Sequence, residues 1–174
     1  MFSTGLRNSF CLFLLFAFCS LLLSSVQAEQ QNPYQKWLNE DVRWIISSQE
    51  RADFLKLSTD QQRDEFVVAF WNRHNPAGTP ANSFKMEHYR RLAFTNQHFA
   101  ANLPGSETDR GRVYIVYGPP DSIDSSSGEA SNSGYPYQIW HYRDVQGKNK
   151  EMTVRFVDNC RCGDFKEVDQ SQKN

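Results

Sequence analysis

Apolar residues return every three or four positions through the first half of this chain and gather into short unbroken runs in the second half. From Asn32, a plausible N-cap followed by Pro33, the spacing of Trp37, Leu38, Val42, Trp44, Ile45 and Ile46 predicts a helix with one buried face. Gln49 to Leu57 reads as a second, short helix. Ser58 with Gln61 three residues on is a capping-box pattern, and Phe66, Val67, Phe70 and Trp71 then share one side until Pro76 stops the helix. After a loop from Ala77 to Asn82, another helix reads from Ser83 to Ala100, its apolar arc built from Met86, Tyr89, Leu92, Ala93 and Ala100. Asn96 falls inside that arc. A buried amide without partners costs about 1–3 kcal/mol, so Asn96 is expected to tie this helix to a neighbouring loop.

After Pro104 the pattern changes from helical spacing to strand-like runs. Val113 to Tyr117 is five β-branched or aromatic residues in a row, and "YQIWHYR" (Tyr137 to Arg143) and "MTVRFVD" (Met152 to Asp158) repeat that texture around a "QGKNK" turn. "DFKEV" is a candidate last strand across a cysteine turn. Asp124 to Gly134 is a serine- and glycine-rich loop expected to join the first two strands. Helices followed by strands predict an α+β fold, with N-terminal helices packed on one face of a small, mainly antiparallel C-terminal sheet.

The start of the chain belongs to none of these elements. A lone Arg7, the apolar run Phe10 to Leu23 and small or moderate residues before Glu29 form the pattern of a secretory leader over residues 1–28. The apolar run is shorter than the roughly 20 residues a spanning helix needs, although an uncleaved anchor stays open. A single domain is expected over residues 34–168, then a polar tail over 169–174. The chain would be exported, periplasmic or extracellular, with no spanning segment in its mature part. Against 19 basic residues stand 20 acidic ones, and the leader removes only Arg7, leaving a charge of −2. That balance argues against a nucleic-acid partner, and there is no polybasic patch for anionic lipid.

Cys11 and Cys19 leave with the leader, so Cys160 and Cys162 remain. They read as turn cysteines, oxidised together or left free, with a redox pair as the less favoured alternative. His74, His88, His98 and His141 do not form a ligand set by spacing, and no metal or cofactor is expected. The chain contains no Gly-x-Ser-x-Gly elbow, phosphate loop or His-Glu-x-x-His. Tyr114, Tyr117, Tyr135, Tyr137, Trp140 and Tyr142 either line an exposed face of the sheet or pack under the helices.

The run "TDRGRVYIVYGPPD", Thr108 to Asp121, resembles the GWxTD-domain family, as do "WLNEDVRWII", "EHYRRLAFTN" and "YQIWHYR" in the same order. The family's name motif falls on Gly105, Thr108 and Asp109, with Ser106 where the tryptophan stands and Glu107 at the free position. The resemblance implies a bacterial, exported protein and carries no established activity.

Gly105, Thr108, Asp109, Arg112 and Asp121 are therefore the candidate motif or binding residues. In the framework reading Thr108 and Asp109 cap a turn, Gly111 relieves crowding and Asp121 accepts backbone N–H groups in the following turn. Asp109 would meet Arg110, Arg112 or an arginine of "HYRR", although adjacent Arg90 and Arg91 should not share one carboxylate. The residues point away from an enzyme and towards a binding module of the cell envelope for a protein, peptide or glycan. The alternative is an envelope hydrolase or transferase with its site around Thr108, Asp109, Arg112 and Asp121.

Overall fold

The computed structural model describes residues 32–128, 134–147 and 150–168. The expected leader, the polar tail, the centre of the serine-rich segment and two residues of the "QGKNK" turn lie outside the described residues. Contacts divide the chain into two units, Met1–Pro33 and Tyr34–Asn174, and apart from Asn32 and Pro33 the described residues belong to the second.

The first helix is shorter than its apolar spacing predicts. α1 (Pro33–Lys36) runs into a π-helical turn, Trp37–Asp41, which buries Trp37 and Leu38. α2 (Ser48–Leu55) starts at a capping box in which the Ser47 hydroxyl accepts the Glu50 N–H and the Glu50 carboxylate accepts the Ser47 N–H. α3 (Asp60–His74) is capped in the same way by Thr59 and Gln62, one residue beyond the expected Ser58 and Gln61. Each such cap is worth about 1 kcal/mol. α4 spans Ser83–His98. Trp37, Leu38, Val42, Phe54, Phe70 and Trp71 form one buried cluster, against which Phe84 and Tyr89 of α4 also pack.

The apolar run from Val113 to Tyr117 is helix, not strand. α5 (Asp109–Tyr117) is capped by Thr108, whose hydroxyl accepts the Gly111 N–H at 3.1 Å, and it ends at Gly118 with φ +88°. It buries Arg110, Gly111, Val113, Tyr114 and Ile115, so contacts surround much of its circumference and erase the polar half of a helical pattern. Asp124 to Ser126 are not loop but the end of β1 (Ser122–Ser126).

β1, β2 (Tyr137–Tyr142), β3 (Met152–Val157) and β4 (Lys166–Val168) form an antiparallel sheet in chain order. Trp140 lies opposite Val154, and Gln138 opposite Phe156. One face carries Trp140, Tyr142, Val154 and Phe156 into a second buried cluster with Val113 and Tyr114 of α5, joined by Phe94 and Phe99 from α4 and its end. The fold is α+β with helices packed against the sheet. α4 and α5 supply the rings that cover it, and α4 also contributes to the first cluster. Among the described residues no helix is long and apolar enough to cross a membrane.

Three details of α4 differ from expectation. Met86 is 71% exposed, outside any apolar arc. Arg90 and Arg91 do share one carboxylate, because Glu87 lies three residues before one and four before the other and offers an oxygen to each, Oε2 to the Arg90 Nε at 2.7 Å and Oε1 to the Arg91 Nε at 2.8 Å. Asn96 is exposed and not inside a buried arc, yet its Oδ1 accepts the Ser106 N–H at 2.8 Å and fixes α4 to the segment ahead of α5 as expected.

Candidate functional site

Two places compete for the description: the corner made by the motif residues, and a cavity beside it. In the corner, Gly105 to Glu107 is a single 3-10 turn with Gly105 buried under α4. A Cβ on Gly105 would overlap the Thr95 carbonyl and come within 2.9 Å of the Ala100 nitrogen. The Gly105 carbonyl accepts both the Thr108 N–H at 3.3 Å and the Thr108 hydroxyl at 2.8 Å, while Gly111 presses on it from α5. Thr108 is 2% exposed and its hydroxyl is committed to these backbone partners.

The charged candidates also face the chain's own framework. Asp109 does not pair with an arginine as expected; its Oδ2 accepts the Glu167 N–H of β4 at 2.7 Å. Arg112 pairs with the Glu167 carboxylate. Asp121 accepts the Arg143 N–H and the Arg143 guanidinium, each at 2.8 Å, so its backbone partner follows β2 instead of lying in the next turn. Hydrogen bonds from the Arg143 backbone and side chain hold the exposed Asp121 carboxyl below its usual range. Asp109 and Asp121 flank α5, whose nine residues rise about 13 Å, so the structure does not bring them together. The tyrosines and tryptophan singled out by sequence do not make an exposed patch. Tyr114, Trp140 and Tyr142 are buried and Tyr135 is 41% exposed.

The cavity has a volume of about 330 Å³ and lies against α3, α4 and α5. Trp44, Ile45, Phe84, Ile115 and Val116 give it apolar walls, and His74, Glu87, His88 and Arg91 give it polar ones. None of the five candidate motif residues lines it, but two links join it to the corner. The Trp44 indole donates Nε1–H to the Ser106 carbonyl at 2.8 Å, and Arg91 Nη1 donates to the Ile115 carbonyl at 3.0 Å. Phe84 lies between the two imidazoles, near-parallel to both, with ring centroids 5.5 Å from His74 and 6.3 Å from His88.

Partners hold in place the polar groups of this wall and Glu50, which bonds His74 without lining the cavity itself. His88 is 3% exposed; its Nε2 lies 2.6 Å from the Asp41 carbonyl, so that nitrogen carries the proton. Burial pushes the His88 pKa down, and the ring stays neutral. Burial works to raise the Glu50 carboxyl, but hydrogen bonds from Ser47, Arg73 and His74 bring it down to about 2. Hydrogen bonds from Arg90, with Arg91 adding to them against burial, bring Glu87 down to about 2 as well.

These shifts give stability a defined pH dependence. A neutral, buried histidine with a depressed pKa contributes fully above the unfolded value of 6.5, and that contribution is lost as pH falls below it. The two glutamates contribute above their unfolded value of 4.5 and lose that contribution as pH falls through about 2. Urea melts collected from pH 8 to pH 2 should therefore show two successive losses of stability. Glu50→Gln combined with Glu87→Gln should flatten the second and leave the first.

The lining offers no hydroxyl, thiol or amine to act as a nucleophile. A relay-like trio does occur on the exposed face of the sheet: His141 Nε2 is 2.9 Å from Asp124 Oδ2, and its Nδ1 is 3.4 Å from the Thr153 hydroxyl. Thr153 lies directly opposite His141, and Asp124, opposite Ile139, is the diagonal neighbour of His141 on β1, so the trio is a consequence of register, and none of its members lines the cavity. For metal binding, the ligand atoms of Asp158, Cys160 and Cys162 lie within 4.8 Å of one another. The two sulfurs are bonded to each other as a disulfide, which withdraws both as thiolate ligands.

Sequence spacing did not reveal this cavity because its lining comes from separate segments that meet only in the fold. The one local signal was the pair Glu87 and His88 beside Arg91 on a single helix. The family model for the GWxTD domain matches residues 23–167. No curated protein and no solved structure matches the chain.

Proposed function

We propose that this chain, which belongs to the GWxTD-domain family, is a non-enzymatic binding module of the cell envelope that seats an apolar side chain of a polypeptide partner in the cavity beside α5. The observation that carries this reading is the lining: aromatic and aliphatic walls around a few fixed polar groups, the usual make-up of a binding pocket. Glu87 and Arg91 bond to each other and to the chain, so a densely hydroxylated glycan would find few open partners there. A polypeptide side chain needs fewer. The motif residues support the site from behind by fixing α5, whose Ile115 and Val116 face the cavity.

Export, to the periplasm or beyond, is part of the proposal. It rests on the leader-like pattern of residues 1–28 and on a disulfide that an oxidising compartment would preserve.

The test is capture from the native envelope fraction with wild type and Val116→Trp, which fills the cavity from a half-buried position. Wild type should retain a defined polypeptide, and the tryptophan variant should lose about 90% of it, a loss of over 1 kcal/mol, with an unchanged melting temperature. Identical captured sets from the two proteins would remove the cavity from recognition.

A further inference from the structure

We propose that Cys160 and Cys162 form a thiol–disulfide exchange site for protein dithiols and disulfides, in which Cys162 meets the partner and Cys160 resolves the mixed disulfide. The two are joined in the structure with their Cα atoms 5.2 Å apart, and both residues are exposed. Only Arg161 separates them. A bridge that closes so short a loop removes little chain entropy from the unfolded state, so it is a poor staple.

The turn has other means of support. Asp158, 4% exposed, accepts the Cys162 N–H at 3.1 Å on Oδ1 and the Gly163 N–H at 2.8 Å on Oδ2. Its own N–H bonds the Pro136 carbonyl, and its carbonyl accepts the Arg161 N–H. Arg110 Nη2 holds the Gly163 carbonyl at 3.0 Å, and Arg161 Nη2 holds the Gly134 carbonyl at 2.7 Å. With these bonds in place the bridge can open while its two sulfurs stay close.

The sulfurs also differ in their surroundings. Cys160 Sγ is 3.2 Å from Asp158 Oδ1, a carboxylate that disfavours a thiolate and accepts an S–H. Cys162 Sγ is 3.8 Å from Asn102 Nδ2, an amide donor that favours a thiolate. Exchange then runs in one order. A partner thiolate attacks Cys162 Sγ, the Cys160–Cys162 bond breaks, and its electron pair leaves on Cys160, which takes a proton from solvent and settles its S–H on Asp158. The partner's second thiolate attacks the partner sulfur of the mixed disulfide and expels Cys162 as a thiolate facing Asn102. The partner dithiol is oxidised to a disulfide and the domain's bridge is reduced to two thiols. The reverse sequence reduces a partner disulfide.

A synthetic peptide carrying one internal disulfide, mixed with the reduced protein at pH 7, tests the assignment. Intact mass should show Cys160→Ser accumulating a mixed disulfide through Cys162, while Cys162→Ser reacts about tenfold more slowly; Asn102→Ala in the Cys160→Ser background should slow the trapping severalfold. Melting temperatures with the bridge closed, reduced or mutated should agree within a few degrees, which shows that the turn survives opening. Equal trapping rates at the two cysteines would overturn the proposal. So would rates no higher than those of a free Cys-Arg-Cys peptide, or unfolding of the domain when the bridge is reduced or mutated.

Discussion

Alanine at Gly111 is expected to cost the fold at least about 3 kcal/mol, a large part of the 5–15 kcal/mol typical of a domain's total stability. The reason is contact and not dihedral preference. A Cβ at Gly111 would overlap the Gly105 carbonyl oxygen and sit 2.9 Å from its carbon, and that oxygen already accepts the Thr108 N–H and hydroxyl. Backbone must move, since no flexible side chain is there to yield. The cap on α5 would loosen with it. The contrasting variant is Arg112→Ala, which removes only a half-exposed ion pair with Glu167 and should cost about 1 kcal/mol or less. Urea unfolding of the two variants measures both. Equal costs would mean that the corner is held by its charges and not by its close backbone contact.

The second large effect is expected at Arg110, which α5 carries into the interior. Its guanidinium lies 5.0 Å from the Phe99 ring centroid and 4.2 Å from that of Phe165, donates to the Gly163 carbonyl, and is only 9% exposed. Burial pulls its pKa down, while the charges of Asp158 and Asp164 oppose that shift. Arg110→Ala takes a cation away from buried Asp158 and part-buried Asp164, the latter keeping Lys166 at 3.0 Å, and empties the space between two rings, so it should cost about 3 kcal/mol. Arg110→Lys should recover part of the loss, because an ammonium keeps the charge but cannot lie flat between two rings. Hydrogen exchange at Gly163 to Phe165 should speed up in the alanine variant before it does in α3. No change there would detach Arg110 from the cysteine turn.

What sequence reveals here follows from how each element is held. α2 and α3 are stabilised by local signals, a capping box and one apolar face, and they were legible to within a residue or two. Within α5, Val113 to Tyr117 reads as a strand because the run is continuous in apolar and aromatic side chains. Its boundaries were nonetheless written in the chain: Thr108 and Asp109 at the start, Gly118 before two prolines at the end. Weighting those stop signals over β propensity would have given the helix. Asp124 to Ser126 read as loop because β1 has its strand geometry through pairing with β2 and not through its own composition. The motif residues stand out in the sequence, but their partners in β4 and after β2 do not, since Glu167 and Arg143 are 58 and 22 residues away from Asp109 and Asp121.

The strand that sequence missed has a consequence for the protein in crowded solution. β1 ends the sheet on one side, four of its five residues are exposed, and Asp124 extends from its middle. A lone rim of unpaired amides invites other chains to continue the ladder, and a short serine-rich rim bearing a carboxylate is a poor template for stacking. Because adding a like strand would place Asp124 near its counterpart, the sheet is discouraged from growing into a fibre by the same residues that gave so little sign of being a strand.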